Sequence, residues 1–252
     1  MFSDFHSHLD DYTPDKLKEV LDKASTEKVE IILGNGTTLD TSQQTINIAQ
    51  HHQGVFAAVG IHPWQAIPPT KEVLKKLGEM AKQKGVAAIG EIGLDYARSP
   101  DTKEIQKDLF RQQVNLAREL NLPMNIHCKE AQQDMMDILK QMGGSRLRGA
   151  AHGFSGDKAT LMDWLNLGFY ISIGPRCFTR TYTPAFGEAV KHIPLDRLLI
   201  ETDSSGKSLV SGEMVGPASV IVVAEKLAEI LGKTTEEIGN IATANIKRLL
   251  SI

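Results

Sequence analysis

Asp4, His6, His8 and Asp10 stand at alternate positions behind an apolar opening. In an extended strand that spacing aims all four side chains at one face. Two imidazoles at successive same-face positions can grip a single divalent cation, since neutral imidazole is the commonest metal ligand among side chains. Metal-dependent hydrolysis is the first chemistry this suggests. Further candidates follow short apolar runs: Glu91 after Ala88-Ile89-Gly90, His127 after Met124-Asn125-Ile126, His152 after Ala150-Ala151, and Asp203 after Leu199-Ile200-Glu201-Thr202. Each alone has an ordinary explanation as a helix cap or a satisfied core histidine. Together with His6 and His8 they form a mixed nitrogen and oxygen shell suited to zinc, with manganese or magnesium as alternatives, and a carboxylate such as Glu91 can bridge two ions. Two divalent metal ions are therefore expected. His62, in Gly60-Ile61-His62-Pro63-Trp64, is expected on the same face as a substrate contact or proton carrier. His51, His52 and His192 read as surface residues.

Residues two hundred positions apart meet only if the scaffold brings them together. Short apolar runs alternate with longer amphipathic stretches, the pattern of repeated strand-helix units and a parallel sheet. Eight strand candidates appear: Met1 to Phe5, Glu30 to Leu33, Val55 to Val59, Ala87 to Gly90, Met124 to Ile126, Gly149 to Ala151, Phe169 to Ile173 and Leu198 to Glu201. Pro14 suits the start of a first helix in which Leu17, Val20, Leu21 and Ala24 recur at helical spacing. Leu109, Val114, Ala117 and Leu120 do the same in a fourth helix, which is expected to stop before Asn121-Leu122-Pro123. Residues 217–231 and 235–250 read as two more helices, the last with a capped acidic start at Thr235. The expectation is an α/β chain folded as a TIM (β/α)8 barrel with additional C-terminal helices, residues 1–252 forming one domain. An open doubly wound sheet is disfavoured because no glycine-rich dinucleotide turn follows the first strand. In a closed barrel the six candidate ligands would follow strand ends and open on one face.

The chain has 252 residues, 41% of them hydrophobic, enough for one large core. A formal charge of -3 gives no sign of broad adhesion to DNA or anionic membrane, although locally clustered cations could still hold a nucleic acid. No apolar run is long enough to span a bilayer and no secretory pattern opens the chain, so a cytoplasmic location is expected. Cys128 and Cys177 fit reduced thiols. A monomer without membrane or obligate protein partner is expected.

The residues also resemble a known family. The segments Asp4-Phe5-His6-Ser7-His8-Leu9-Asp10, Gly60-Ile61-His62-Pro63, Gly90-Glu91-Ile92-Gly93-Leu94-Asp95-Tyr96, Ile126-His127-Cys128-Lys129-Glu130-Ala131, His152-Gly153-Phe154-Ser155-Gly156 and Ile200-Glu201-Thr202-Asp203-Ser204 are similar to those of TatD-type metal-dependent hydrolases, a branch of the amidohydrolase-like barrels. Asn245 also resembles a family asparagine. The resemblance implies deoxyribonuclease or 3'-exonuclease activity on DNA, with His6, His8, Glu91 and Asp203 around one ion and Glu91, His127 and His152 around the other. Water activated between two cations would attack phosphorus or a carbonyl carbon, Asp203 would orient that water and take its proton, and Arg98 and Lys129 would grip the substrate anion. Lys129 stands where the family usually has arginine, and Gly153 where it often has cysteine. Ser204-Ser205-Gly206-Lys207 replaces a proline-containing turn, and residues 208–216 lack an arginine and asparagine cluster. The alternatives are hydrolysis of another phosphoester, an amide or a lactone, and a metal-binding scaffold without catalysis.

Overall fold

Strand and helix alternate through the chain because apolar β-formers recur in short runs between amphipathic stretches. The order is β1 (Phe2–His8), α1 (Pro14–Thr26), β2 (Val29–Asn35), α2 (Leu39–His51), β3 (Val55–Val59), α3 (Lys71–Met80), β4 (Val86–Asp95), α4 (Lys103–Leu120), β5 (Met124–Lys129), α5 (Gln132–Met142), β6 (Gly149–Ala151), α6 (Lys158–Asn166), β7 (Tyr170–Ile173), α7 (Arg176–Thr179), α8 (Pro184–Val190), β8 (Leu198–Ile200), β9 (Ser204–Ser205), β10 (Leu209–Val210), β11 (Glu213–Met214), α9 (Val220–Leu231) and α10 (Thr235–Leu250). The computed structural model describes residues 1–179, 183–205, 209–210, 213–214 and 216–252. Pro14 occupies the first turn of α1, and Val20 and Ala24 are buried. In α4 Leu109, Val114 and Ala117 are buried, and Asn121 ends the helix in the left-handed conformation.

The strands from β1 to β8 lie in sequence order, all parallel, and β9 adds to the outer edge of β1. β9 continues the chain of β8 after three residues, so residues 198–205 serve both edges. Ile200 pairs with Ile173, and Ser204 pairs with Ser7. The Asp203 N–H donates to His6 O at 2.8 Å between them. This joins the edges into a TIM barrel, which removes the unpaired strands an open sheet would expose.

Side chains alternate across the barrel wall. Ile31 and Leu33 belong to a buried cluster with Phe5, Ala58, Ala88, Ala150 and Leu199, whereas Ile32 packs with the helices. Ile246, Leu249 and Leu250 of α10 join the inner cluster. Asn245 Nδ2 donates to Leu198 O at 2.8 Å, which ties α10 to the start of β8. The helix therefore plugs the barrel end opposite the strand C-termini. Its cap is Thr234 rather than Thr235, in a capping box with Glu237.

Two expectations need correction. β1, β4 and β5 run on through their polar residues, so His6, His8, Glu91 and His127 lie within strands rather than beyond them. The hydrophobic run ends before the backbone ladder does, as the pairing of Gly93 with His127 shows. Gly93 has φ +146°, and a methyl group there would run into the His127 carbonyl. Asp10 falls in a 3-10 turn (Leu9–Asp11) and leaves the strand alternation. Among the described residues no helix is long and apolar enough to cross a membrane.

Candidate metal centre

Alternation along β1 puts the His6 and His8 rings on one side, their Nε2 atoms 3.2 Å apart. Glu91, buried in the middle of β4, divides its carboxylate between two groups. Oε2 lies 3.4 Å from His6 Nε2 and 3.6 Å from His8 Nε2. Oε1 lies 2.9 Å from His152 Nε2, 3.0 Å from His127 Nδ1 and 3.2 Å from His62 Nε2. Asp203 Oδ1 faces the first group, 3.5 Å from His8 Nε2 and 3.9 Å from His6 Nε2. All six expected ligands and His62 are thus brought together.

The outer nitrogens of these rings are occupied, which fixes the direction of the inner ones. His8 Nδ1 donates to Asn35 O at 3.1 Å. His127 Nε2 donates to Asp95 Oδ2 at 2.9 Å. His152 Nδ1 donates to Glu201 Oε1 at 3.2 Å, and the Gly153 N–H reaches the same oxygen at 2.7 Å. Asn125 Nδ2 lies 3.1 Å from His6 Nδ1. His62 differs. Its Nδ1 accepts from the Trp64 N–H at 3.1 Å, so in the neutral ring Nε2 carries the hydrogen and points it at Glu91. That tautomer leaves no lone pair for a cation.

Asp203 adopts φ +49°, a left-handed conformation uncommon for a residue with a side chain. The preceding residue is clamped. Thr202 N and Oγ1 donate to Asp4 Oδ1 and Oδ2 at 2.8 and 2.6 Å, and the His6 N–H reaches Asp4 Oδ1 at 3.2 Å. Asp4 therefore braces the centre from below instead of facing it. Arg176 Nη1 sits 2.9 Å from Asp203 Oδ2 and leaves Oδ1 toward the imidazoles.

Electrostatics follow from this crowding. Burial opposes charge on Glu91, but His62, His152 and His6 hold its carboxyl well below the usual range. Burial likewise opposes charge on His152, which Glu91 and Glu201 hold protonated well above the imidazole range. His8 is lifted to about 9 against its burial by the hydrogen bond to Asp203 and by the Glu91 and Asp203 carboxylates. Burial and repulsion from His152 push His6 down. Burial of so many ionisable groups is tolerated when they pair or coordinate metal. The donor set fits a divalent cation: inward-facing imidazole nitrogens and carboxylate oxygens, within coordination reach of common points. Among the described residues three groups could hold an ion, the first two sharing His6: His6, His8 and Asp203; His6, His152 and Glu201; and His62, Glu91 and His127. The hydrogen bonds given above place Glu201 behind His152 and make His62 a donor, so neither is needed as a ligand.

The centre forms the floor of a cavity of about 680 Å³ at the strand C-termini. Arg98, Lys129 and Arg176 line it, together with Trp64, Asp10 and Asp11. Arg98 lies over the Trp64 ring, 3.8 Å from its centroid, instead of reaching into the cavity unaided. Asp95, Glu201, Asn125 and Arg176 are functional neighbours to which the sequence reading gave no role, and Asp4, noted there for its alternate spacing, acts as a brace. Asp95 and Glu201 had a signal, each being a carboxylate inside one of the family-like segments, beside Glu91 and Asp203 respectively. Arg176 had none. The side chain of Cys177 and residues Gly206, Lys207, Ser208, Ser211, Gly212 and Val215 of the altered segment lie outside the described residues.

A parallel barrel whose mouth gathers oriented imidazoles around a two-sided carboxylate is the framework of a metal-dependent hydrolase. The chain belongs to the TatD-related DNase family, whose model matches residues 3–251. It is 40% identical over 257 residues to YabD of Bacillus subtilis, an uncharacterized metal-dependent hydrolase, with 100% of both chains covered. It is 28% identical over 262 residues to the human deoxyribonuclease TATDN3, covering 98% of this chain and 93% of the relative. The crystal structure of YjjV, a TatD homologue of Escherichia coli, superposes with a TM-score of 0.89 at 27% identity, covering 100% of this chain and 98% of the other.

Proposed function

We propose that this hydrolase is a deoxyribonuclease that cleaves phosphodiester bonds at the 3' ends of DNA using two divalent cations, zinc or else manganese or magnesium. The observation that carries the reading is the two-sided Glu91 beneath a cavity rimmed by three cationic side chains. His6, His8 and Asp203 would hold one ion and His127 and His152 the other, with Glu91 shared. Bound cations would lower the pKa of water and offset phosphate charge.

The chain's own groups supply the rest. Asp203, which lines the cavity with Oδ1 3.5 Å from His8 Nε2, takes the proton of the attacking water. His62 holds a proton on Nε2 against Glu91 Oε1 and so keeps that carboxylate charged. Arg98, Lys129 and Arg176 surround the space a phosphate would occupy. Lysine at 129 offers a point charge without a bidentate fork, so orientation falls to the two arginines. The naming of the family and of human TATDN3 as DNases supports DNA as substrate.

The test is a metal-stripped sample reloaded with zinc, manganese or magnesium and offered single-stranded DNA, duplex DNA, bis(p-nitrophenyl) phosphate and a lactone. Release of nucleotides from 3' ends, abolished by Asp203→Asn, is the expected result. Turnover of the lactone alone would replace the reading with ester hydrolysis, and no turnover of any substrate would leave a metal-binding scaffold. DNA cleavage at full rate by the Asp203→Asn variant would remove the proton acceptor.

A further inference from the structure

Trp64 is a large aromatic side chain 42% exposed at the rim of the cavity, and two parts of it touch the site in different ways. Its indole N–H donates to Asp95 Oδ2 at 2.6 Å, the same oxygen that accepts from His127 Nε2 at 2.9 Å. Its ring face carries the Arg98 guanidinium at 3.8 Å. The Arg98 backbone N–H also donates to Asp95 Oδ1 at 2.8 Å, so Asp95 anchors both ends of the arrangement. We propose that Trp64 is a positioning residue with two separable actions: its N–H orients His127 through Asp95, and its ring holds Arg98 where an anionic substrate group enters.

The first action follows from hydrogen-bond geometry. Asp95 Oδ2 meets only these two donors among the described side chains, and together they set the carboxylate rotamer. Asp95 in turn keeps a hydrogen of His127 on Nε2, so the nitrogen that a cation can take, once its proton is displaced, is Nδ1 on the Glu91 side of the centre. Outer partners of this kind tune metal affinity by roughly 10- to 100-fold. The second action follows from the stack. A free arginine samples many rotamers, and a cation held on an indole face gives up much of that freedom before any ligand arrives. This second action rests on the phosphodiester reading proposed above, whereas the first does not.

Trp64→Phe keeps a ring face and removes the N–H, Trp64→Leu removes both, and Arg98→Met removes the cation. The readouts are zinc affinity by chelator competition, the ring nitrogen shifts of His127 in the zinc-loaded protein, binding of inorganic phosphate to the metal-loaded protein, and kcat and KM on bis(p-nitrophenyl) phosphate. Trp64→Phe should weaken zinc roughly tenfold or more, shift the His127 tautomer signal, lower kcat, and leave KM and phosphate affinity within about twofold. Arg98→Met should weaken phosphate binding and raise KM without changing zinc affinity. Trp64→Leu should show both defects. Thermal melts accompany each variant, and Trp64 is exposed enough for them to fold. Zinc affinity and His127 shifts unchanged in Trp64→Phe would overturn the first action. Phosphate binding that survives Trp64→Leu and Arg98→Met would overturn the second. Absence of phosphodiester turnover in the wild type would defeat the functional reading, and the zinc and phosphate measurements would still decide this one.

Discussion

Asp4 is fully buried, yet it sits where no water can compensate the groups that bond to it, and replacing it tests how Asp203 is held. In Asp4→Ala three donors lose their acceptor: Thr202 N, Thr202 Oγ1 and the His6 N–H. At about 1–3 kcal/mol for each stranded group, the loss is about 3–9 kcal/mol. That approaches the whole stability of a typical domain, about 5–15 kcal/mol. Asp4→Asn keeps an acceptor toward the two backbone donors and turns its amide toward Thr202 Oγ1, so it should cost about 1 kcal/mol at pH 7. The contrast is sharper with pH. Burial pushes Asp4 up from 3.8 to about 8, against the opposing hydrogen bonds from Thr202. An acid whose folded pKa lies above its unfolded value keeps its proton longer in the folded chain. Its contribution to stability is complete below pH 3.8 and is lost as pH climbs through 8. Between pH 5 and 8 the wild type should lose roughly 4 kcal/mol at this residue, at about 1.4 kcal/mol per unit. Asp4→Asn has no such proton to release. Urea unfolding of metal-stripped proteins at pH 5 and pH 8 should therefore show the asparagine variant gaining on the wild type by roughly that amount. Identical differences at both pH values would mean that Asp4 is ionised throughout. An Asp4→Ala protein that folds and keeps full turnover would refute its role in holding Asp203.

Three further outcomes follow from the centre. Glu91→Gln replaces one of the two oxygens that face the two imidazole groups with an amide nitrogen and removes the charge they share, so metal analysis after dialysis should find fewer bound ions than in the wild type, with turnover falling by about a hundredfold or more. Because His8 is lifted to about 9 and His127 and His152 are also raised, the metal-free centre holds protons at pH 7. Metal binding should expel them, so affinity should weaken as pH falls, and calorimetry in two buffers of different ionisation enthalpy should report the release. Arg176→Met frees Asp203 Oδ2 and removes one rim cation, which should raise KM for a phosphodiester several-fold and flatten its dependence on salt.

The barrel was legible because its signal is carried by many residues at once. Alternating runs such as Val55 to Val59 and the helical repeat of Val20 and Ala24 are set by burial on two sides of one wall, and the structure keeps them. The convergence of His6, His8, Glu91, His127, His152 and Asp203 was legible for the same reason, since a closed barrel leaves strand C-termini one common mouth. Strand ends were less readable. A hydrophobic run stops at the first candidate ligand, while backbone pairing continues through Glu91 to Asp95. The orienting partners were less readable again. Asp95 meets His127 from a neighbouring strand and Asp4 meets Thr202 across 198 residues, so no local spacing announces either pair. Asp10 misled because its alternate spacing is real in sequence and ends in a turn in space.

Closure of the barrel and assembly of the centre are the same structural event. The segment from β8 to β9 must leave β7 and reach β1 within a few residues, and Asp203 sits at the point of transfer. Its left-handed backbone and its N–H bond to His6 O make that crossing possible. The bond lands on a residue whose imidazole faces the same carboxylate, so the edge that seals the sheet also sets the distance from Asp203 to His6 and His8. Asp4 secures the crossing from the inner side of β1 through Thr202. A change that loosens this seam must therefore separate Asp203 from the imidazoles of β1 while leaving His127, His152 and Glu91 in register on the strands β4 to β6. On the two-ion reading proposed above, loss of one metal before the other is the expected signature of such damage, with the ion assigned to His6, His8 and Asp203 leaving first.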